Sequence, residues 1–146
     1  MKKIYDNTIC GIEENLGENL IDRLYQELKQ TAVFALSGPL GAGKTTLVQG
    51  LLARAGITDS IQSPTYTYVI PYTAPDGTIF YHFDLYRLNS LEDFVYSGFD
   101  EYLFQPGSRA LIEWPEIIKP LLTHDTCFIE LDYESASSRR ISAFCI

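Results

Sequence analysis

The sequence predicts an α/β three-layer sandwich, with helices covering a mostly parallel central sheet that carries an antiparallel hairpin portion. Three observations predict it. Thr31 to Ser37 reads TAVFALS, a short run apolar almost throughout, as a strand buried on both faces requires. A glycine-rich turn and a helical segment follow it directly. Further on, two aromatic and β-branched stretches flank Ala74-Pro75-Asp76-Gly77, the signature of a β-hairpin.

Each element has its own justification. Leu16, Leu20, Leu24 and Leu28 recur every four positions with Ile21 beside them, which predicts an amphipathic packing helix over 13 to 29. Thr46 to Ala55 is a helix stopped by Gly56, whose missing Cβ suits a left-handed terminator. The hairpin strands run over 66 to 72 and 78 to 84. Asn89 or Ser90 caps a short helix to Ser97, Gly98 ends it, and Phe99 to Phe104 adds a further helical turn or two. Ala110 to Glu113 reads as a second buried strand, and Phe128 to Tyr133 and Arg140 to Cys145 as closing strands. No repeat or Pro/Gly-rich linker divides the chain, so residues 1 to 146 are expected to form one domain.

Composition narrows the function. Apolar residues at 46% and charged residues at 21% are ordinary globular usage and exclude wholesale disorder. A net charge of −8 disfavours a broad nucleic-acid groove, because phosphate neutralisation dominates that affinity. Spanning a membrane takes about 20 consecutive apolar residues, and Ala32 to Leu36 is the longest run. Lys2 and Lys3 resemble the start of a secretory signal, but Asp6, Asn7, Glu13 and Glu14 follow where an apolar stretch would be needed. Cys10, Cys127 and Cys145 are an odd set without CxxC spacing, which indicates neither a disulfide framework nor a thiolate zinc site. A reducing, cytoplasmic location without membrane attachment is expected.

Gly38-Pro39-Leu40-Gly41-Ala42-Gly43-Lys44-Thr45 satisfies GxxxxGK[ST], the P-loop, between a predicted strand and a predicted helix. Glycines let successive N–H groups turn inward as an anion nest, and the helix that follows, with Thr46, points unpaired N–H groups at the same phosphates. Lys44 can reach the β and γ phosphoryl oxygens, and the Thr45 hydroxyl can complete the shell of a magnesium ion. A coincidental glycine turn would match on the order of once in a few hundred chains. The motif therefore predicts a P-loop NTPase-like fold.

A P-loop needs an acid on a neighbouring strand to hold magnesium, and two apolar runs end in one, IFYHFD at Asp84 and ALIE at Glu113. We assign Glu113 to magnesium and Asp84 to the attacking water; the ordinary alternatives are a strand-end cap and a surface acid before Pro115. His82 and Asp84 share one strand face. Ser63-Pro64-Thr65 is either a bland turn or a loop whose Thr65 hydroxyl senses the γ phosphate. Arg87 reads as a surface ion pair near Asp84 or as a group offsetting transition-state charge. Tyr66, Tyr68 and Tyr72 read as core and cross-strand packing, and Glu92, Asp93, Asp100 and Glu101 as acids favoured at helix starts. His124 carries no signal. Asn7 to Ile12 and Ser135 to Arg140 are expected to flank the base.

Taken together, LGAGKTT at 40 to 46, SPTYT at 63 to 67, HFDLYR at 82 to 87 and IEWPE at 112 to 116 resemble the TsaE family, also called YjeE, from about Leu16 to the end of the chain. The resemblance implies the bacterial ATPase of tRNA threonylcarbamoyladenosine synthesis, which binds ATP or ADP with magnesium and works with TsaD and TsaB, reaching tRNA only through that complex. Carried over by position, Lys44 and Thr45 serve phosphates and metal, Glu113 is the magnesium acid, Asp84 the aspartate needed for hydrolysis and Thr65 the switch threonine. Trp114 follows the acid as in the family. Pro39 stands where the family usually has Asp, Leu122-Thr123 replaces a frequent Leu-Pro, and the sequence ends shortly after its last predicted strand, which leaves a longer family C-terminal extension open.

The function expected is thus a slow, partner-stimulated ATPase acting as a nucleotide-dependent switch. The alternative is a P-loop kinase for a small molecule, with Asp84 and Arg87 gripping the acceptor, although no arginine-rich lid segment is present. A scaffold that never needs hydrolysis and a GTPase are weaker readings, the latter because no NKxD or TKxD segment occurs.

Overall fold

The computed structural model describes residues 1–10 and 18–146. Strands β1 (Lys2–Cys10), β2 (Val33–Ser37), β3 (Val69–Thr73), β4 (Ile79–Asp84), β5 (Ser108–Glu113), β6 (Thr126–Ser135) and β7 (Ser138–Cys145) form one sheet in the order β1-β7-β6-β2-β5-β4-β3. The middle is parallel, with β2 between β6 and β5 and β4 beyond β5. Both flanks are antiparallel, through β1 and β7 on one side and β3 on the other.

The run Val33 to Leu36 lies at the centre because it has nothing polar to solvate on either face. Phe34 and Leu36 face the core under helices α1 (Glu18–Leu28) and α2 (Lys44–Arg54), while Val33 and Ala35 face a second core on the opposite side. Leu20, Leu24 and Leu28 are buried against the sheet as their spacing predicts. Gly50 allows α1 to approach closely, since a Cβ there would stand 2.8 Å from Ile21 Cδ1. The second core lies under α3 (Leu91–Tyr96) and two 3₁₀ turns, Phe99–Tyr102 and Pro115–Leu121. Its centre is Phe83, with the rings of Phe94, Phe99 and Tyr102 at 5.9, 6.2 and 6.4 Å. Ser90 caps α3 by accepting from the Asp93 N–H at 3.1 Å.

Several expectations need correcting. The N-terminal segment contributes an edge strand, β1, where none was expected; its register on β7 is set only by the folded sheet. The start predicted for the first helix, with Leu16, falls outside the described residues, and the described helix ends at Leu28. The hairpin begins at Val69 rather than 66, because the Tyr68 N–H bonds the Pro64 carbonyl and closes a turn. Tyr72 packs as expected, but Tyr66 is 81% exposed and packs in neither core. Cys127 and Cys145 are cross-strand partners joined as a disulfide, a pairing that register creates and that spacing along the chain does not show. His124 stacks on Phe104 at 4.4 Å. Among the described residues no helix is long and apolar enough to cross a membrane.

Phe83→Ala should cost about 3–5 kcal/mol of stability in urea unfolding, from lost burial and a cavity under α3, whereas Tyr66→Ala should stay within about 0.5 kcal/mol.

Candidate functional site

The site begins where β2 ends. At Gly38, φ is +148° and a Cβ would come 2.2 Å from the Leu131 carbonyl oxygen, so only glycine lets the chain leave the sheet there. The loop closes through the Ala42 N–H to the Pro39 carbonyl at 3.1 Å and reaches Gly43, which starts α2 in the left-handed region at φ +105°. No side chain caps α2 and no acid occupies its first turn. Its unpaired N–H groups and the positive end of its dipole face the loop, a ready site for an anion.

Lys44, the first residue of α2, is only 5% exposed. Its Nζ donates to the carbonyls of Gly38 at 2.6 Å and Pro39 at 3.0 Å and lies 3.9 Å from the centre of the Trp114 ring. Trp114 holds that place from a left-handed backbone at φ +58°, costly for a bulky residue and typical of functional segments. Burial lowers the Lys44 pKa below its ordinary value of 10.5, against the opposing pull of Glu113, Glu116 and Asp84.

The acids come from neighbouring strand ends. Leu36 pairs with Glu113 across β2 and β5, and Glu113 with Asp84 across β5 and β4, so three strands finish level at one edge. The Thr45 hydroxyl donates to Glu113 Oε1 at 2.7 Å, and His82 Nε2 lies 2.6 Å from Glu113 Oε2. Asp84 Oδ2 accepts from the Ser63 hydroxyl at 2.6 Å and Oδ1 from the Tyr86 N–H at 3.0 Å. Asp84 thus ties β4 to the loop that carries Thr65.

A cavity of about 400 Å³ opens here. Of the residues singled out in the sequence, Leu40, Gly41, Gly43, Lys44, Thr45, Thr46, Thr65, Asp84 and Glu113 line it together. Gly38, Pro39 and Ala42 do not: Gly38 packs under Leu131, Pro39 offers its carbonyl to Lys44, and Ala42 is buried in the core. Arg87 lines the cavity too, but its guanidinium stands 5.1 Å over the Tyr66 ring, and among the described residues no ion pair joins it to Asp84. Ser63, Tyr86 and His82 gain contacts that sequence reasoning did not foresee, although the shared face of His82 and Asp84 was the signal for one of them. Asn7 to Cys10 pair with the β7 end of the β6–β7 hairpin, while Gly11 and Ile12 fall outside the described residues. That hairpin touches the loop through the Tyr133 hydroxyl, which donates to the Leu40 carbonyl at 3.0 Å. The adjacent Thr45 hydroxyl and Glu113 carboxylate form an all-oxygen donor set, which suits a hard divalent cation that keeps most of its water.

Known proteins resemble the chain in sequence and shape. The family model for "Threonylcarbamoyl adenosine biosynthesis protein TsaE" matches residues 13–141. The tRNA threonylcarbamoyladenosine biosynthesis protein TsaE of Rickettsia conorii is 41% identical over 135 residues, 92% of this chain and 73% of the relative. Its namesake in Haemophilus influenzae is 43% identical over 98 residues, 67% of this chain but only 61% of the relative's own length. The crystal structure of Bacillus subtilis YdiB superposes with a TM-score of 0.72 at 28% identity, covering 97% of this chain and 84% of that one.

An anion that replaces the carbonyls around Lys44 should favour its charged form and raise its lowered pKa, so the complex holds more proton than the free protein between the two pKa values. Calorimetry with inorganic tripolyphosphate in buffers of different ionisation enthalpy should therefore show proton uptake on the alkaline side, with affinity falling as pH rises through that window, and Lys44→Met should abolish the uptake.

Proposed function

The chain belongs to the TsaE family, whose relatives are named for tRNA threonylcarbamoyladenosine biosynthesis, and from that premise we propose that it binds ATP with magnesium, hydrolyses it slowly and acts as a nucleotide-dependent switch on a TsaD–TsaB complex. The observation that carries this reading is the contact of the Thr45 hydroxyl with Glu113, which joins the phosphate loop to an acid on the adjacent strand.

In this reading the amides of Gly41 and of Gly43 to Thr46, with the Lys44 ammonium, take the polyphosphate, and Thr45 and Glu113 hold the magnesium ion. Held there, such an ion would offset negative charge on the polyphosphate. Asp84 orients the attacking water, and its bond from Ser63 couples that task to the loop bearing Thr65. Contact of Thr65 with the γ phosphate would draw the loop inward, and loss of that phosphate would release it. The partner then distinguishes two loop positions. A tenfold difference in partner affinity needs only about 1.4 kcal/mol, the scale of one or two hydrogen bonds. Exposed Leu40, Tyr66 and Tyr86 stand at or beside the cavity mouth, where a partner would feel such a movement. The net charge of −8 fits a subunit that leaves the tRNA to others.

Purified protein should convert ATP to ADP and free phosphate, faster when TsaD and TsaB are added. Asp84→Ala should keep ATP affinity within about threefold while hydrolysis falls by a factor of about 10²–10⁴, the range of a lost general base, and tRNA modification should stop. A phosphorylated metabolite in place of free phosphate would make the protein a kinase. Modification sustained by the Asp84→Ala protein would make it a scaffold.

A further inference from the structure

We propose that His82 is a positioning residue, which aims the Glu113 carboxylate at the metal position and holds it there when Thr45 turns to the ligand. The inference rests on the proposed reading of Glu113 as the magnesium acid and goes further by assigning that acid its support.

Along β4, alternate residues face the core under α1 and α2: Phe80, His82 and then Asp84. Phe80 continues the apolar core, and an apolar residue at 82 would extend it further. The chain instead places there an imidazole that is 0% exposed. A buried polar ring is tolerated when it finds partners, and His82 has one. Its Nε2 meets Glu113 Oε2 at 2.6 Å, while Nδ1 has no hydrogen-bond partner among the described residues. Facing a carboxylate oxygen, which accepts, Nε2 is the ring atom that donates to Glu113. A single bond to Glu113 is thus the polar role of this ring.

The geometry of the carboxylate follows from its two donors. Thr45 holds Oε1 from the phosphate loop and His82 holds Oε2 from within the sheet. The two differ in what ligand binding asks of them. Thr45 would offer its hydroxyl oxygen to the magnesium ion, which ends its present role as an unchallenged partner of Glu113. His82 lies beneath the site and has no competing task. It is the side chain that can keep the carboxylate from swinging away in both states, as hydrogen-bonding partners of metal ligands generally do.

The test compares His82→Leu, which keeps apolar volume and removes the donor, with His82→Gln, whose amide N–H can replace Nε2–H. Each folded variant is titrated calorimetrically with ATP in EDTA and at a series of magnesium concentrations. In His82→Leu, metal-free affinity should stay within about twofold of wild type, while the magnesium concentration for half-maximal enhancement of binding rises about tenfold. His82→Gln should bring that concentration back to within about threefold of wild type. An unchanged magnesium requirement in His82→Leu would overturn the inference, as would equal defects in Leu and Gln variants or a loss confined to metal-free binding. Should the Leu variant not fold, His82→Asn, whose shorter amide stops before Glu113, takes its place under the same criteria. A wild-type protein whose nucleotide binding ignores magnesium would overturn both this inference and the reading beneath it. Normal wild-type behaviour with an indifferent His82→Leu would remove only the role of His82.

Discussion

A carboxylate taken out of water must be answered by donors or surrender its charge, and Glu113, 3% exposed at the end of β5, is the point on which the site turns. Thr45 and His82 each donate to one of its oxygens, from α2 and from β4. Those donors are within reach because β2, β5 and β4 are parallel and in register, finishing level. The same register seats the loop after β2 above the acid. A one-residue slip of β5 would turn Glu113 to the other core and separate all three groups. The apolar faces of Phe34, Leu36, Phe80 and Leu111 specify that register, so the packing beneath the site and the chemistry at its rim depend on one another.

Around this centre the protein supplies internal partners for groups that could serve a ligand. Lys44 rests on two carbonyls and a tryptophan face, Thr45 on Glu113, and Ser63 on Asp84. Each is a satisfied contact that a phosphate, a cation or a water could take over. Binding then exchanges bonds rather than adding them, and the net free energy is a small difference between similar terms. Under the proposed function, such exchange would let a modest ligand preference shift the loop that Ser63 ties to Asp84.

The left-handed tryptophan belongs to the same economy of space. Trp114 follows Glu113 directly, its N–H bonds the Leu36 carbonyl at 3.3 Å, and Pro115 begins a 3₁₀ turn straight after it. The chain must reverse at the strand end while keeping the ring above Lys44, and the backbone is held in a rarely used conformation for it.

Much of the fold was legible along the chain. The TAVFALS run, the glycine loop and the helix after it required only local pattern, because burial on two faces, anion binding and helix initiation leave marks within a few neighbouring residues. The ends of IFYHFD and ALIE marked Asp84 and Glu113 in the same way. What local pattern could not supply were contacts between positions far apart: Glu113 with Thr45, 68 residues away, His82 with Glu113 across 31, and Ser63 with Asp84 across 21. The edge strand at the N-terminus and the Cys127–Cys145 bridge belong with these, since both exist only by virtue of a partner strand. Periodicity along a segment determines which face is apolar and where it ends; which face it meets, and in what register, is decided by the assembled sheet.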